Sequence, residues 1–393
     1  MQAVEVIVIG AGAAGLMCAI EAGKRKRKVL VLDHSNKAGK KILMSGGGRC
    51  NFTNYHIDPI NYNSHNPHFV KSALTRYTQW DFIALVNKHA IPFHEKTLGQ
   101  LFCDHKSSDI VAMLLAECHA VSAQIQLNTT INSIQKKSDH GFTVSTSKGP
   151  VQCQSLVVAS GGLSIPTLGA SPFAYKTAEQ FGIKIWPTRA GLVPFTLDVA
   201  EKDQVSILSG IGLDSLVANE HRSFRENTLF THRGLSGPAI LQLSSYWRAG
   251  EHICINFLPE LELLPFLKST RKQTAQKQLN SILAMLVPKR VVEVFIPTTL
   301  AEKKVADCSN HELEWVAQQF NAWLVRPNGT EGYRTAEVTI GGVDCNAFSS
   351  KTMEANDSPG LYVIGEALDV DGWLGGYNFQ WAWSSGWAAG QVV

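Results

Sequence analysis

The sequence has no run of about 20 apolar residues, the length that spans a bilayer, so no membrane helix is predicted. It also has no Cys-x-x-Cys pair, and its eight cysteines are irregularly spaced, which favours packed or reactive thiols in a reducing compartment. The N-terminal apolar run is too short for the core of a secretory signal. We therefore expect a cytoplasmic protein with no membrane partner.

A strong charge of either sign is lacking as well. The chain has 36 Lys and Arg against 33 Asp and Glu, a net charge of +3, which neither announces nor excludes a polyanionic partner. Its 45% apolar and 18% charged residues are typical of a globular protein. With 393 residues it is too long for one ordinary core, so we expect two or three domains.

The most informative motif lies at the N-terminus, where the apolar run Val6–Ile9 leads into Gly10-Ala-Gly12-Ala13-Ala14-Gly15. A buried parallel strand followed by G-x-G-x-x-G and a helix is typical of dinucleotide binding. The first glycine permits a tight turn, the second lets backbone approach a pyrophosphate, and the third lets helix and strand pack closely. Asp33 ends a second apolar strand about 20 residues on, where an acid accepts hydrogen bonds from a ribose.

A glycine-rich loop follows, over residues 37–51. Three consecutive glycines, Gly46, Gly47 and Gly48, are unfavourable inside a helix or strand and suit a close approach of backbone to a flat or anionic group. The loop also carries cations for a pyrophosphate or a ring, and short polar side chains: Lys40, Lys41, Ser45, Arg49 and Asn51.

The stretch from Asn51 to Trp80 mixes aromatic residues, histidines and cations. Such a stretch suits a lid that excludes water from an enzyme site. It also suits a platform on which bases of single-stranded RNA stack. Both interpretations remain open at this point.

Two later strands have the character of the nucleotide-binding sheet. Residues 155–160 form an apolar strand that ends at Ser160-Gly161-Gly162, after short strands with a turn around Asp139–Gly141. Residues 360–365 form a last buried strand, ending at Gly365 and Glu366.

Between these two strands the composition changes, so we predict a discontinuous nucleotide domain of residues 1–190 and 335–393. The predicted insert covers residues 191–334, with a β-rich part over about 191–258 and a helical part over about 259–325.

The N-terminal glycine motif with Asp33, the strand that ends at Ala159-Ser160-Gly161 and the strand that ends at Gly365-Glu366 together resemble the FAD-dependent two-dinucleotide-fold proteins. In those proteins the mid-chain strand usually ends in Ala-Thr-Gly rather than Ala-Ser-Gly. Four serial motifs narrow the resemblance to the BaiN/RdsA family of flavoproteins: residues 45–51 (SGGGRCN), 230–238 (FTHRGLSGP), 339–343 (TIGGV) and 365–378 (GEALDVDGWLGGYN). The resemblance implies an α/β fold, an FAD-binding Rossmann-like domain of the glutathione-reductase type with an inserted β-barrel and a small helical module.

The resemblance also implies a cofactor and a set of residues that hold it. The cofactor is FAD, and no metal site is predicted. The cofactor-binding set is Gly10, Gly12, Ala13, Ala14, Gly15, Asp33, Lys40, Lys41, Ser45, Gly46, Gly47, Gly48, Ile131, Ser160, Gly161, Gly162, Gly365, Glu366, Asp369, Gly375, Gly376, Tyr377 and Asn378. No second G-x-G-x-x-G follows a strand, so NAD(P)H is expected to visit the flavin only transiently.

The activity of the family implies hydride transfer from reduced flavin to a C=C conjugated with a carbonyl. Three functions remain open for this chain, two of them with this chemistry. The first is reduction of uridine in large-subunit ribosomal RNA, and the second is reduction of a small enone of the bile-acid kind. The third is a flavin-loaded RNA-binding or assembly factor without turnover. The reaction needs an acid protonated at neutral pH, for which Cys50 is the candidate, with Arg49 and Asn51 polarising the substrate carbonyl.

Overall fold

The computed structural model describes residues 2–138 and 140–393, so Asp139 of the predicted turn lies outside the described residues. The chain divides into two compact units. The first unit comprises the residues up to Arg189 together with Val338–Val393, and the inserted unit is Ala190–Glu337.

Short strands and helices follow one another along the chain. In chain order the strands are β1 Gln2–Ala3, β2 Val6–Ile9, β3 Val29–Leu32, β4 Asn51–Asn54, β5 Tyr62–Asn63, β6 Phe93–Glu95, β7 Gln100–Cys103, β8 Gln124–Gln126, β9 Ile131–Lys136, β10 Phe142–Thr146, β11 Gly149–Cys153, β12 Ser155–Val158, β13 Ile185–Gly191, β14 Phe195–Thr196, β15 Gly212–Ala218, β16 Ser223–Thr231, β17 Gly234–Ser236, β18 Ile253–Asn256, β19 Trp323–Val325, β20 Gly329–Thr330, β21 Val338–Val343, β22 Leu361–Val363 and β23 Asp371–Gly372. The α-helices are α1 Ala13–Lys24, α2 Lys40–Met44, α3 Phe69–Arg76, α4 Gln79–Lys88, α5 Ser107–Ala120, α6 Phe173–Gln180, α7 Val199–Ser206, α8 Pro238–Ser244, α9 Leu263–Gln273, α10 Leu279–Leu283, α11 Lys289–Phe295, α12 Thr298–Ala301, α13 Asn310–Asn321 and α14 Tyr377–Gly390.

A five-stranded parallel sheet organises the first unit, in the order β22-β12-β2-β3-β8. Every residue of β2 and β3 is buried. Their unbroken Val, Ile and Leu content suits strands that are covered on both faces, where alternation with polar residues would bury unpaired groups. Because β22 pairs with β12, the last part of the chain completes the sheet that the first part begins.

Helices α1 and α14 pack closely on one another because small residues face the contact. A Cβ at Gly386 would lie 2.4 Å from the carbonyl oxygen of Ala14, and one at Gly390 would lie 2.5 Å from Cβ of Glu21. Arg25, just after α1, donates to the carbonyl oxygens of Gly390 and Val393 at 3.2 and 2.9 Å. The basic run that follows α1 therefore helps to fix the end of α14.

Smaller sheets flank the parallel sheet. The four-stranded sheet has the order β1-β11-β10-β9, the three-stranded sheet has the order β4-β7-β6, and β23 pairs with β5 and β13 with β21. The three-stranded sheet carries the residues that follow the triple-glycine loop, and the β23–β5 pair carries the motif that follows Glu366.

Many aromatic residues of the stretch from Asn51 to Trp80 pack against α14. Tyr77 stacks on Trp387 with ring centroids 5.8 Å apart, Phe69 meets Trp381 edge-on at 6.1 Å, and Tyr62 donates to the carbonyl oxygen of Tyr377 at 2.9 Å. Tyr55 and Trp80 instead stack on each other, and Trp80 remains 56% exposed. Most of these rings are thus part of the first unit's packing.

The inserted unit contains a seven-stranded sheet in the order β19-β18-β15-β16-β17-β14-β20, with antiparallel pairing. The resemblance implied a barrel, whereas the end strands β19 and β20 each pair with one neighbour among the described residues. Rings of Phe230, Phe257 and Phe295 pack together, with centroids 5.8 Å apart in the first pair and 5.5 Å apart in the last two. Helices α9 to α13 form the helical part.

Three further findings concern the chain as described. All eight cysteines are free thiols, and seven of them are buried. No described helix is both long and apolar enough to span a membrane. Within residues 2–138 and 140–393, no three His, Cys, Asp or Glu side chains are grouped as metal ligands would be.

Candidate active site

The loop between β2 and α1 and the first turn of α1 contain two glycines that lie against other backbone, Gly10 and Gly15, and one that faces open space, Gly12. A Cβ at Gly10, where φ is +115°, would lie 2.4 Å from the carbonyl oxygen of Ala159, and a Cβ at Gly15 would lie 1.9 Å from that of Gly10. At Gly12, in contrast, no heavy atom lies within 4 Å of the Cβ position. The N–H groups of the first helical turn, including Ala13 and Ala14, have no intrahelical acceptor and adjoin this space. An anion is stabilised at such a position.

Asp33 has backbone partners in this structure. Its two carboxylate oxygens accept hydrogen bonds from the N–H groups of Ala11 and Ser35, each at 2.7 Å. The carboxylate therefore holds the glycine loop against the end of β3. The predicted contact between Asp33 and a ribose remains a prediction.

The end of β12 contributes a buried hydroxyl without a partner. Oγ of Ser160 is inaccessible to solvent and has no hydrogen-bond partner among the described residues. Gly161, next to it, has φ of +74°, and a Cβ at Gly162 would lie 2.5 Å from Oγ1 of Thr339. Since buried hydroxyls are normally hydrogen-bonded, Ser160 indicates an incomplete polar site at this strand end.

Lys41 and Glu366 form the charged centre of a small network. Nζ of Lys41 donates to Glu366 at 2.6 Å and to Oγ of Ser164 at 2.5 Å. Ser164 in turn donates to Glu366 at 2.8 Å, and the backbone N–H of Thr339 donates to the same carboxylate at 3.0 Å. Ser164 and Thr339 were not predicted as site residues. Thr339 begins the family motif at residues 339–343, but a hydroxyl in a glycine-rich segment does not reveal which carboxylate it will lie beside.

The triple-glycine loop has a left-handed backbone. Gly46, Gly47 and Gly48 have φ values of +56°, +63° and +87°, and Cys50 has φ of +46°. No heavy atom lies within 4 Å of a Cβ placed on Gly47 or Gly48, whereas Gly46 lies against the ring of Phe102. This conformation is accessible to glycine and costs other residues energy.

Cys50 is fully buried at the end of this loop. Burial raises the pKa of its thiol, and a hydrogen bond with Ser45 partly opposes that shift. The thiol therefore carries its proton at neutral pH. Arg49, beside it, is exposed, and Lys40 at the start of α2 is half-buried.

The triple-glycine loop leads into β4, which touches the turn at residues 375–376. With the amide of Asn51 oriented so that its nitrogen faces the carbonyls of Leu101 and Thr53, its oxygen accepts from the N–H of Gly376 at 3.3 Å. Nδ2 of Asn54 donates to the carbonyl oxygen of Gly375 at 2.9 Å. A Cβ at Gly376 would lie 2.3 Å from the carbonyl oxygen of Thr53.

Side chains hold the residues around this turn, and several of them hydrogen-bond backbone groups. The Asn378 amide accepts from the N–H of Gly372 at 2.8 Å and donates to its carbonyl at 2.9 Å. Tyr377 begins α14 and lies against Tyr62. Gly365 has φ of +70°, and its carbonyl accepts from the indole N–H of Trp381 at 3.1 Å.

Asp369 and Asp371 are buried side chains of the same motif. Asp369 accepts from the backbone N–H of His65 at 2.8 Å and lies 2.9 Å from Nδ1 of its ring. Asp371, which was not predicted as a site residue, accepts from Nδ2 of Asn63 at 2.9 Å. Burial, opposed by Asn63 and the charge of Arg189, raises the pKa of Asp371 to about 7. The signal available in the sequence was the repeated acid in Asp-Val-Asp, but the spacing gives no measure of burial.

Ile131 stands apart from these loops. It is half-buried at the start of β9 and pairs with Thr146 of β10 in the four-stranded sheet. Its predicted contact with the cofactor remains a prediction, as do the cofactor and substrate contacts of the other site residues.

The parallel sheet, the glycine loop before α1 and the glycine-rich ends of β12 and β22 define a dinucleotide-binding protein of the Rossmann class. Within this class, the chain can be assigned to one family. The chain belongs to the family described as HI0933-like protein Rossmann domain, whose family model matches residues 4–392.

Two relatives match this chain over nearly all of its length. The Ribosomal RNA dihydrouridine synthase of Escherichia coli K12 is 54% identical, with 100% of this chain and 98% of that relative covered. The protein of the same name from Haemophilus influenzae is 50% identical, over 98% of this chain and 97% of that relative. Among solved structures, the 3-ketosteroid-delta4-(5alpha)-dehydrogenase of Rhodococcus jostii shares the fold, with a TM-score of 0.51, 14% identity and coverage of 99% and 97% of the two chains.

Proposed function

We propose that this protein is an FAD-dependent oxidoreductase that reduces uridine to dihydrouridine in large-subunit ribosomal RNA. The observation that carries the proposal is the 54% identity, over the whole chain, to a relative named for this reaction on ribosomal RNA. A ribosomal RNA substrate also agrees with a cytoplasmic protein. The small-enone function would use the same chemistry on a different substrate, and deletion of the gene separates the two.

Three observations support FAD as the cofactor. Open space adjoins Gly12 and the first turn of α1, where a pyrophosphate would be stabilised by free N–H groups. Oγ of Ser160 lacks a partner at the end of β12 among the residues that the structure describes. The Lys41–Glu366 pair and the open, left-handed Gly47 and Gly48 provide charge and room beside the strand ends. A bound and reduced FAD supplies the hydride for a C=C conjugated with a carbonyl.

Within this proposal, the chain's residues bind, orient and protonate. The loop of Gly10 to Gly15 and Asp33 hold the nucleotide end, and Lys41, Glu366 and residues 45–48 hold the ring end. Arg49, which is exposed, hydrogen-bonds the substrate carbonyl, which draws electron density from the reacting double bond. Asn51 was predicted to share this role, but its amide is engaged with Leu101, Thr53 and Gly376, so within this proposal it positions the turn at residues 375–376. In uracil the hydride is added at C6 and a proton at C5, so one acid must release one proton per turnover.

Cys50 is the proposed source of that proton. Its raised pKa keeps a proton on Sγ at neutral pH. Its complete burial means that residues 45–50 must change conformation before Sγ reaches a substrate. We expect Cys50→Ala to lower turnover about 100-fold or more while FAD remains bound, as is typical for loss of a general acid. Full turnover of a flavin-loaded Cys50→Ala protein would exclude Cys50 as the acid, and Asp371→Asn tests a second buried acid in parallel.

We infer that the electrons come from NAD(P)H. Because no second G-x-G-x-x-G follows a strand, the nucleotide has no dedicated domain and visits the flavin transiently. Anaerobic addition of NADPH or NADH to the FAD-loaded protein should bleach the flavin absorbance. Bleaching by neither nucleotide would exclude this donor.

The decisive experiment is deletion of the gene followed by mapping of dihydrouridine in ribosomal RNA. We expect one dihydrouridine of the large subunit to disappear, to return fully when the wild-type gene is restored, and to return less when a Gly12→Ala variant with weakened FAD binding is supplied. Unchanged modification in the deletion strain would contradict the ribosomal function. Turnover of a small enone by the same protein preparation would then favour the small-molecule function, and absence of both would favour the factor without turnover.

A further inference from the structure

Residues 263–292 of the inserted unit contain six cations and no acid. The cations are Lys268, Arg271, Lys272, Lys277, Lys289 and Arg290. Across the whole chain Lys and Arg (36) nearly balance Asp and Glu (33), so this stretch is a local departure from an otherwise mixed composition. It belongs to the helical part of the inserted unit, which the proposed chemistry does not use.

The fold brings part of this stretch together with a second basic segment. Helix α9 buries Leu263 and Leu267, and Lys272 in its last turn is exposed. The connection after α9 is joined to residues 304–306, since the N–H of Val305 donates to the carbonyl of Lys277 at 2.9 Å and Gln278 forms a β-bridge with Lys304. Arg271 donates to the carbonyl oxygen of Cys308 at 3.0 Å. We call Arg271, Lys272, Lys277 and Lys304 the basic edge.

The charges of the basic edge are not compensated by ion pairs among the described residues. Other cations of the helical part do have acidic partners, namely Lys268 with Glu314, Lys289 with Glu293, and Lys303 with Glu312. Lys272, Lys277 and Lys304 have no carboxylate within 4.0 Å in the part of the chain that the structure describes, and they are exposed. Arg271 has only neutral partners there, the Cys308 carbonyl and the Asn310 amide.

Uncompensated cations at the surface favour an anionic partner, because they neutralise its charge without first breaking an ion pair. Neighbouring amide side chains, Gln276 and Gln278, are exposed and add neutral donors of the kind that contact phosphate oxygens. The acids nearest to Lys304 in the chain are Glu302 and Asp307, and neither forms an ion pair with it among the described residues. The surface therefore suits a chain of phosphates better than a single small anion.

We propose that the basic edge binds the phosphate backbone of the ribosomal RNA substrate. This inference rests on the proposed function, which requires the protein to capture an RNA that is far larger than the reacting base. In this arrangement the inserted unit supplies affinity that depends on phosphate charge, and the first unit supplies the chemistry. Phosphate contacts position an RNA without reading its sequence.

The test compares two variants with equal loss of charge. One is Lys272→Gln/Lys277→Gln/Lys304→Gln, and the matched control is Lys26→Gln/Lys28→Gln/Lys136→Gln, whose lysines are exposed in the first unit. Binding of unmodified large-subunit ribosomal RNA is measured at several salt concentrations. We expect the basic-edge variant to bind about tenfold more weakly and the slope of log affinity against log salt to fall by about 2 to 3. The control should bind like wild type.

Equal losses in the two variants, or no loss in the basic-edge variant, would overturn the proposal. It would also be overturned if wild type bound anionic phospholipid vesicles as tightly as RNA and the basic-edge variant lost that binding, which would indicate a membrane surface. Flavin content and thermal unfolding of both variants should match wild type.

RNA binding by the basic edge and formation of dihydrouridine are tested independently, so the two proposals can fail one without the other. If wild type forms dihydrouridine and the basic-edge variant binds RNA normally, the basic edge is not the docking surface and the proposed function stands. If dihydrouridine in the deletion strain is unchanged while RNA binding still depends on the basic edge, the proposed function fails and the surface remains an RNA-binding one.

Discussion

Gly10 and Gly15 lie against the backbone of neighbouring segments, whereas Gly47 and Gly48 have no heavy atom within 4 Å of the positions that Cβ atoms would take. Both loops are rich in glycine, but for different physical reasons. The first loop needs glycine because there is no room for a side chain. The second needs it because its backbone has positive φ, and its open space is what the proposed cofactor would use.

Gly12 shows that the two situations can occur within one motif. It lies between Gly10 and Gly15, yet its Cβ position is open, and its φ of −89° is ordinary. Packed glycines should therefore affect folding when replaced, and open ones should affect ligand binding. Substitutions that differ in their expected effect on the free energy of unfolding test this division between packed and open glycines.

Gly15→Ala should have the largest effect. The added Cβ would lie 1.9 Å from the carbonyl oxygen of Gly10, so strand β2 and helix α1 would have to move apart. We expect the free energy of unfolding to fall by more than about 3 kcal/mol, or the protein not to accumulate in folded form. Denaturant unfolding of the apoprotein measures this, with Gly12→Ala as the control. Equal stability of the two variants would contradict the division between packed and open glycines.

Asp371→Asn tests whether burial raises the pKa of the Asp371 carboxyl in the folded protein. Burial raises the pKa of Asp371 to about 7, with Asp369 and Glu366 adding to the shift and Asn63 and Arg189 opposing it. In the unfolded chain this carboxyl ionises at about pH 4, so as the pH rises the unfolded state loses the proton before the folded state does.

Asp371 therefore stabilises the fold most below its unfolded pKa, and this stabilisation is lost as the pH rises from about 4 to about 7. The loss amounts to a few kcal/mol at most, since one pKa unit corresponds to about 1.4 kcal/mol. Asp371→Asn should lack this loss, so the variant should gain stability relative to wild type over that range and no further above it. A difference that is constant with pH would show that the carboxyl is ionised in the folded protein.

Gly47→Ala should have a smaller effect. There is room for the methyl group, but φ of +63° is unfavourable for alanine, so we expect a loss of about 1 kcal/mol in the apoprotein. Gly47→Asn should be milder, because asparagine adopts left-handed backbone more readily. If alanine and asparagine were equally destabilising, the cause would be lost space rather than backbone strain.

Gly12→Ala should change the apoprotein least, by less than about 0.5 kcal/mol. The methyl group would occupy the space that a pyrophosphate needs, so we expect FAD to bind at least about tenfold more weakly, or about 1.4 kcal/mol. Titration of apoprotein with FAD, followed by flavin fluorescence, measures this. Normal FAD affinity would indicate that the cofactor does not approach this turn.

The sequence was most informative where one residue type serves one geometric need. The β2–α1 loop was predictable because strand, glycine spacing and helix occur together, and the family motifs carried the fold class. The same signals did not reveal that Asp33 is hydrogen-bonded to Ala11 and Ser35, because a carboxylate at a strand end has several partners within reach.

Properties that depend on packing between distant segments could not be predicted. The burial of Asp371 arises from the pairing of β23 with β5, about 300 residues earlier in the chain. The aromatic residues of the stretch from Asn51 to Trp80 were compatible with a lid or an RNA platform, and their packing on α14 depends on a helix at the other end of the sequence. Burial of Cys50 is likewise a tertiary property.

The pairing of β12 with β22 has a consequence for synthesis of the protein on the ribosome. β12 is complete by Val158, but its neighbour begins at Leu361, so about 200 residues must be translated before that edge can be covered. At typical elongation rates this takes roughly 10 to 40 seconds, during which the apolar strand presents unpaired backbone groups. The growing chain is therefore expected to depend on chaperones until β22 emerges.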